Sequence, residues 1–415
     1  MHTMTIRGGV PLSGTLDISG SKNAALPILF ATVLCGGACT LHRIPQISDT
    51  ELALQILSRM GASVTRRGET VICDTTLLRP ELPDPALTAK MRASCYLLGA
   101  LLGRFGRAWL CGVGGCDFGV RPIDLHLRAF EALGARREGE LLCADRLRGS
   151  TLSFPFPSVG ATVNLLLAAV CAEGETVLRG AAREPHIVDT VRFLRACGAS
   201  IAGEGSDTLR IFGGRPLHPA EYTVTGDMIE AGTYLCAVAA TGGSVTLRGV
   251  RREQLSAPLA VLSAMGVTPV CGDDSITLTR EPGRPLRGCP IVTAPYPGFP
   301  TDLQPPFAAL LTRTETGGSI TERVWADRFR YARELAAMGA RLLCEGDTLT
   351  VLPSPLHGAR VCAPDLRGGA ALVIAALCAS GETVITDADR IARGYAALPE
   401  KLRALGAEAE ETTEP

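Results

Sequence analysis

One signature recurs six times along the chain: a helical stretch closing on glycine, then a small residue, then a strand-like run. It reads MGASV at Gly61, LGARR at Gly134, CGASI at Gly198, MGVTP at Gly266, MGARL at Gly339 and LGAEA at Gly406. The spacing is roughly 70 residues each time, which marks internal duplication. Glycine at such a point ends a helix in the left-handed conformation, and the residues after it begin a strand. A chain built this way must fold as repeated α/β units.

A second signature precedes the first in every unit. Short strands and polar turns lead into almost wholly apolar segments: SGSKNAALPILFATVL, AKMRASCYLLGALL, PSVGATVNLLLAAVCA, TGDMIEAGTYLCAVAA, PTDLQPPFAALL and APDLRGGAALVIAALCA. A helix apolar on every side must be buried on every side. Each unit therefore reads strand–helix–strand–helix–strands, with one buried and one amphipathic helix. At 415 residues the chain exceeds one ordinary core, so six units divide into two domains of three. The turn-rich GGRPLHPAEYTVTGD near residues 215–230 places the boundary.

Composition excludes several classes. A net charge of −1 lacks the basic surplus of nucleic-acid binders, and no apolar run approaches the roughly 18 residues of a membrane span. The N-terminal MHTMTIRGGVPLSG has no basic start followed by an apolar stretch, so a cytoplasmic protein is expected. Fifteen cysteines, scattered without paired CxxC spacing, suit free thiols in a reducing compartment and argue against a zinc site.

Polar residues concentrate where the buried helices begin: Lys22 with Asn23, Arg92, Ser158 with Gly160, Asp227 with Glu230, Asp302, and Asp365 with Arg367. Helix starts present unpaired N–H groups and a positive dipole end, so they attract anions. Capping accounts for Ser158, and it serves as well as function for Asp227, Asp302 and Asp365. Lys22 and Arg92 oppose the dipole and call for a bound anion. Lys22, Lys90 and Lys401 are the only lysines among 41 basic residues. A further stretch, GVGGCDFGVRPIDLH at 112–126, sets Cys116 among glycines, where a structural thiol has little to pack against.

SGSKNAALPIL, KMRAS, GGCDFGVRPIDLH, PSVGAT, AREPHIVD, GFPTDLQ, DRF, DLRGGAAL and RGY, in this order over essentially the whole chain, resemble the enolpyruvyl transferase family. Within it they are most similar to the branch that commits a UDP-sugar to peptidoglycan. The resemblance implies a two-domain inside-out α/β barrel, each domain three βαβαββ repeats. Residues 21–226 would form the first domain, and 1–20 plus 227–415 the second, with the active site in the cleft between them. It implies transfer of the enolpyruvyl group of phosphoenolpyruvate to the 3′-hydroxyl of UDP-N-acetylglucosamine, with release of phosphate.

By the same resemblance Asp302 is the general base and Cys116 the proton donor on a closing loop, open to covalent attack by fosfomycin. Lys22, Arg121 and Arg393 match the phosphate cluster, Arg328 and Arg367 the carboxylate side, and Asn23 a residue at both substrates. Arg92, Arg121, Pro122, Ile123, Asp124, Leu125, Ser158, Val159 and Gly160 match the nucleotide-sugar segments, and Asp302 and Val324 the sugar. His126 reads equally as a satisfied loop histidine. No cofactor or metal is implied, and the partners are the two small-molecule substrates.

His186, Met228, Arg390 and Ala392 depart from the family pattern, and Pro305 and Pro306 follow the expected base. Two rival readings are a same-fold transferase acting on shikimate 3-phosphate and a silent UDP-sugar-binding paralogue. The RPIDLH segment opposes the first; intact Lys22, Cys116, Asp302 and Arg393 oppose the second.

Overall fold

The six repeat glycines share one backbone conformation in the computed structural model, which describes residues 2–110 and 123–413. Their φ angles lie between +93° and +97°, a region closed to most L-residues. In every case the next residue donates its N–H to a carbonyl five positions back: Ala62 to Leu57, Ala135 to Phe130, Ala199 to Leu194, Val267 to Leu262, Ala340 to Leu335 and Ala407 to Leu402, at 2.9–3.1 Å. This closure satisfies carbonyls that the helix end would otherwise orphan, and it aims the chain into a strand.

The chain divides into two compact units, Gly20–Thr225 and Met1–Ser19 with Gly226–Pro415. Each holds three small sheets and its own core. Five of the six sheets share one recipe: a parallel pair, then two antiparallel additions. Thr151–Ser153 runs parallel to Gly174–Arg179, followed by Thr208–Gly213 and Ser200–Ala202. Pro290–Val292 stands likewise to Gly318–Thr321, Thr348–Leu352 and Arg341–Glu345. The sixth, Arg107–Trp109, Leu141–Cys143 and Arg136–Glu138, has three strands among the described residues.

The apolar segments form helices inside these sheets. In the Gly20–Thr225 unit they are Lys22–Ala31, Tyr96–Phe105 and Val159–Ala169; in the other, Met228–Thr241, Gln304–Leu311 and Leu366–Cys378. Ala24 to Ala31 is buried without a break, as is Leu366 to Leu377. Burial on all faces removes the usual hydrophobic stripe and leaves the first turn as the place for polar side chains. Amphipathic helices such as Ser48–Arg59 and Pro185–Ala196 alternate with them.

The first nineteen residues complete the unit that contains Gly226–Pro415. His2–Arg7 lies between Glu382–Thr386 and Glu408–Thr413, antiparallel to both, and Leu12–Asp17 runs parallel to Gly243–Arg248. The exit of this segment is fastened by a buried ion pair. Lys401 Nζ lies 2.5 Å from Glu230 Oε1 and donates to Ser19 Oγ at 2.7 Å, while Ser19 N–H donates to Glu230 Oε2 at 2.8 Å. Among the described residues no helix is long and apolar enough to cross a membrane.

Candidate active site

Three aspartates open buried helices in the Gly226–Pro415 unit, and the structure separates their duties. Asp227 Oδ1 accepts from Ile229 and Glu230 N–H at 2.8 and 3.1 Å, and Asp365 Oδ1 from Arg367 and Gly368 N–H at 2.9 and 3.0 Å. Both are caps. Asp302 is no cap. It lies within a short 3-10 turn, Thr301–Leu303, capped by Pro300, ahead of Gln304–Leu311. The residue three positions on, where the other two aspartates find an N–H, is Pro305, which has none. Pro305 and Pro306 themselves sit buried in the first helical turn, where the missing donors cost little.

Asp302 instead binds two guanidinium groups. Arg328 Nη2 lies 2.7 Å from Oδ1 and Arg367 Nε 3.1 Å from Oδ2. Both arginine side chains are 4% exposed, whereas Asp302 is 29% exposed, so the carboxylate is the open end of the cluster. One carboxylate against two guanidiniums leaves an excess positive charge. Arg367 Nη1 is buried with no hydrogen-bond partner among the described residues, a state that costs roughly 1–3 kcal/mol or more for a charged donor. Burial would push the Arg367 guanidinium down, but Tyr395, Asp302 and Asp227 outweigh it and hold it up. Its carbon lies 5.4 Å from the Tyr395 ring centre, and the Tyr395 hydroxyl is 2.8 Å from Thr233 Oγ1.

Surrounding residues hold this geometry. Gln304 donates to the Arg328 carbonyl at 3.3 Å and accepts from Tyr331 at 2.5 Å. The buried Glu322 carboxylate accepts from Thr293 and Thr301 hydroxyls at 2.7 Å and from Val324 and Trp325 N–H at 2.8 and 3.1 Å. It thereby ties the residue before Asp302 to the loop carrying Val324 and Arg328. A cavity of about 400 Å³ opens on that loop, lined by Val324, Trp325, Asp327, Arg328 and Asp347 among others. Arg390, one of the departures from the family pattern, donates to the Ala363 and Pro364 carbonyls at 2.9 and 3.0 Å, bracing the chain that enters Asp365. Arg393 is half-buried and caps the short helix Asp389–Ala392.

In the Gly20–Thr225 unit Lys22 is the first residue of its helix, with Asn23 next, both half-buried. The anion that Lys22 calls for is partly supplied by the protein: Asp49 Oδ2 lies 2.8 Å from Nζ. Asp49 opens helix Ser48–Arg59, where a carboxylate favours the dipole and offsets the unfavourable lysine. Sequence reasoning passed over Asp49, because ISDTEL reads as an ordinary helix start.

Arg92 begins the 3-10 turn Arg92–Cys95. Ser158 caps Val159–Ala169, accepting from Ala161 N–H at 3.4 Å, so Val159 and Gly160 form that helix's first turn. Ile123 precedes helix Asp124–Ala132, whose Asp124 is exposed and Leu125 buried.

His126 is not a loop residue. It is buried in that helix, and Asn164 links it to the Ser158–Gly160 turn. Asn164 Oδ1 accepts from Gly99 N–H at 2.8 Å, which leaves its amide nitrogen to donate to His126 Nδ1 at 2.8 Å and to the Gly160 carbonyl at 3.3 Å. Burial, with the Arg92 charge second, pushes the imidazole down to about 4. Asn164 was also missed, although a single amide within TVNLLLAAV is a legible anomaly. Cys116, Arg121 and Pro122 lie outside the described residues.

The thirteen cysteines among the described residues are all free. Three of them, Cys35, Cys39 and Cys197, are gathered closely enough to share a metal ion, against the expectation from scattered spacing.

Six repeated α/β units, each wrapped on a helix buried on all faces, define the enolpyruvyl-transferase class of fold. The family model for EPSP synthase (3-phosphoshikimate 1-carboxyvinyltransferase) matches residues 6–402, and the chain belongs to this family. It is 46% identical to UDP-N-acetylglucosamine 1-carboxyvinyltransferase 3 of Caldanaerobacter subterraneus subsp. tengcongensis, over 98% of this chain and 99% of that one. It is 44% identical to UDP-N-acetylglucosamine 1-carboxyvinyltransferase of Clostridium botulinum, over 98% and 99%. Among solved structures, the enolpyruvyl transferase NikO from Streptomyces tendae superposes with a TM-score of 0.88 at 30% identity, covering 100% of this chain and 99% of that one. EPSP synthase from Acinetobacter baumannii shares the fold, with a TM-score of 0.75 at 21% identity and full coverage of both chains.

Proposed function

We propose that the protein transfers the enolpyruvyl group of phosphoenolpyruvate to the 3′-hydroxyl of UDP-N-acetylglucosamine and releases phosphate. The observation that carries this is the buried Arg367 Nη1, which lacks an acceptor beside an Asp302 held by two guanidiniums. A carboxylate or phosphate oxygen answers that donor. The relatives at 44–46% identity favour the UDP-sugar as acceptor over the shikimate 3-phosphate of the family's name.

The chemistry balances as addition followed by elimination. Asp302 takes the proton of the sugar hydroxyl as its oxygen bonds to C2 of phosphoenolpyruvate, and Cys116 gives a proton to C3. The tetrahedral ketal then loses a C3 proton as the C2–phosphate bond breaks, which restores the double bond on the sugar ether. Arg328 and Arg367 bind the carboxylate of phosphoenolpyruvate, and Lys22, Arg121 and Arg393 its phosphate. An incoming carboxylate competes with Asp302 for the two guanidiniums and loosens it for proton transfer. Asn23, Arg92, Ile123–Leu125 and Ser158–Gly160 receive the UDP-sugar, the last two segments clamped together through His126 and Asn164.

On this reading the protein acts at the first committed step of peptidoglycan synthesis, in the cytoplasm, upstream of cell-wall growth and division. Cys116 makes it a fosfomycin target. Phosphate release from phosphoenolpyruvate tests the reading, with UDP-N-acetylglucosamine, with shikimate 3-phosphate, or with no acceptor. Release with the UDP-sugar alone is expected. Release with shikimate 3-phosphate, or none from folded protein that the UDP-sugar still stabilises, would move the assignment to one of the rival readings.

A further inference from the structure

The Sγ atoms of Cys35, Cys39 and Cys197 all lie within 4.8 Å of one another, and the three residues are 7%, 0% and 0% exposed. They arrive from separate elements: Cys35 ends the 3-10 turn Thr32–Cys35, Cys39 is in strand Ala38–His42, and Cys197 caps the end of helix Pro185–Ala196. Three sulfurs around a tetrahedral zinc, at about 2.3 Å each, stand about 3.8 Å apart, so a movement of less than about 1 Å closes the cluster on an ion.

All three are free thiols, and Cys35 is the least buried of the three residues.

We propose that Cys35, Cys39 and Cys197 form a structural site for a thiophilic divalent cation of the zinc and cadmium type, with three thiolates as its protein ligands. Such an ion would fasten the first repeat of the Gly20–Thr225 unit to its third. Ion binding displaces the thiol protons to solvent, so affinity rises with pH.

The test is a titration of reduced, metal-free, full-length protein with Cd²⁺, followed by thiolate-to-metal absorption and by the melting temperature. Cys116→Ser is the background, so that its thiol does not contribute. We expect one ion per chain with an absorption intensity of three thiolates and a rise in melting temperature. Cys39→Ser and Cys197→Ser should each weaken binding by about tenfold or more, while Cys344→Ser, at an exposed thiol, changes nothing. Circular dichroism checks that the variants fold. Absence of uptake by the background protein, equal binding in the Cys39 and Cys197 variants, or a disulfide between two of the three cysteines overturns the proposal.

Discussion

The two units use one repeat and the same buried helices, yet they treat the first turns of those helices in opposite ways. In the Gly226–Pro415 unit every buried helix begins with an aspartate: two cap the backbone, and the third gathers arginines. In the Gly20–Thr225 unit the corresponding starts carry Lys22, Arg92 and a neutral Ser158. An aspartate at a helix start is answered by N–H groups already present, whereas a cation there needs an anion from elsewhere. Asp49 meets that need for Lys22. A duplicated scaffold thus keeps its glycine closures fixed while its helix starts diverge in charge.

Four experiments break or sharpen this contrast. The largest effect is expected at the aspartate that does not cap. Asp302→Asn should lower turnover about a thousandfold and leave the melting temperature within a few degrees, measured by phosphate release and calorimetry. An unchanged rate would remove Asp302 from the chemistry.

In the other unit the stability cost comes first. Asp49→Asn removes the charge 2.8 Å from the half-buried Lys22 Nζ and should cost about 3 kcal/mol in denaturant unfolding. A loss below about 0.5 kcal/mol would mean that water already screens the pair.

His126 gives the contrast a pH signature. Its folded value of about 4 lies below the ordinary 6.5. The unfolded chain therefore takes up the proton first as pH falls. The stabilisation is complete above pH 6.5 and drains away down to about pH 4, by about 3 kcal/mol in all. His126→Gln should flatten that part of the stability–pH curve, and an equally steep curve in the variant would assign the slope to other groups. The smallest effect belongs to the caps. Asp365→Ala should cost about 1 kcal/mol in unfolding free energy, and a much larger loss would mean that its carboxylate does more than cap.

The fold was legible because its determinants are local. A helix-ending glycine and an all-round apolar helix each report their own backbone and burial, and six copies reinforce one another. The roles of the aspartates were less legible, since capping depends on which N–H groups follow. The prolines after Asp302 held that information, but the sequence reading noted them only as following the expected base. Asp49 and Asn164 act through partners far along the chain, and His126 looked like a loop residue because its helix starts only at Asp124. The thiol cluster was illegible for the same reason: no spacing rule connects Cys39 to Cys197.

The sheet that joins His2–Arg7 to Glu408–Thr413 bears on how the chain is made. Thr3 is hydrogen-bonded to Thr412, 409 residues later. At the usual pace of ribosomal synthesis the first strand waits on the order of 20–80 s for that neighbour. By then Gly20–Thr225, whose sheets need nothing outside themselves, has fully emerged. The order of translation thus favours Gly20–Thr225 folding as a finished insertion, while the first strand still awaits its neighbours.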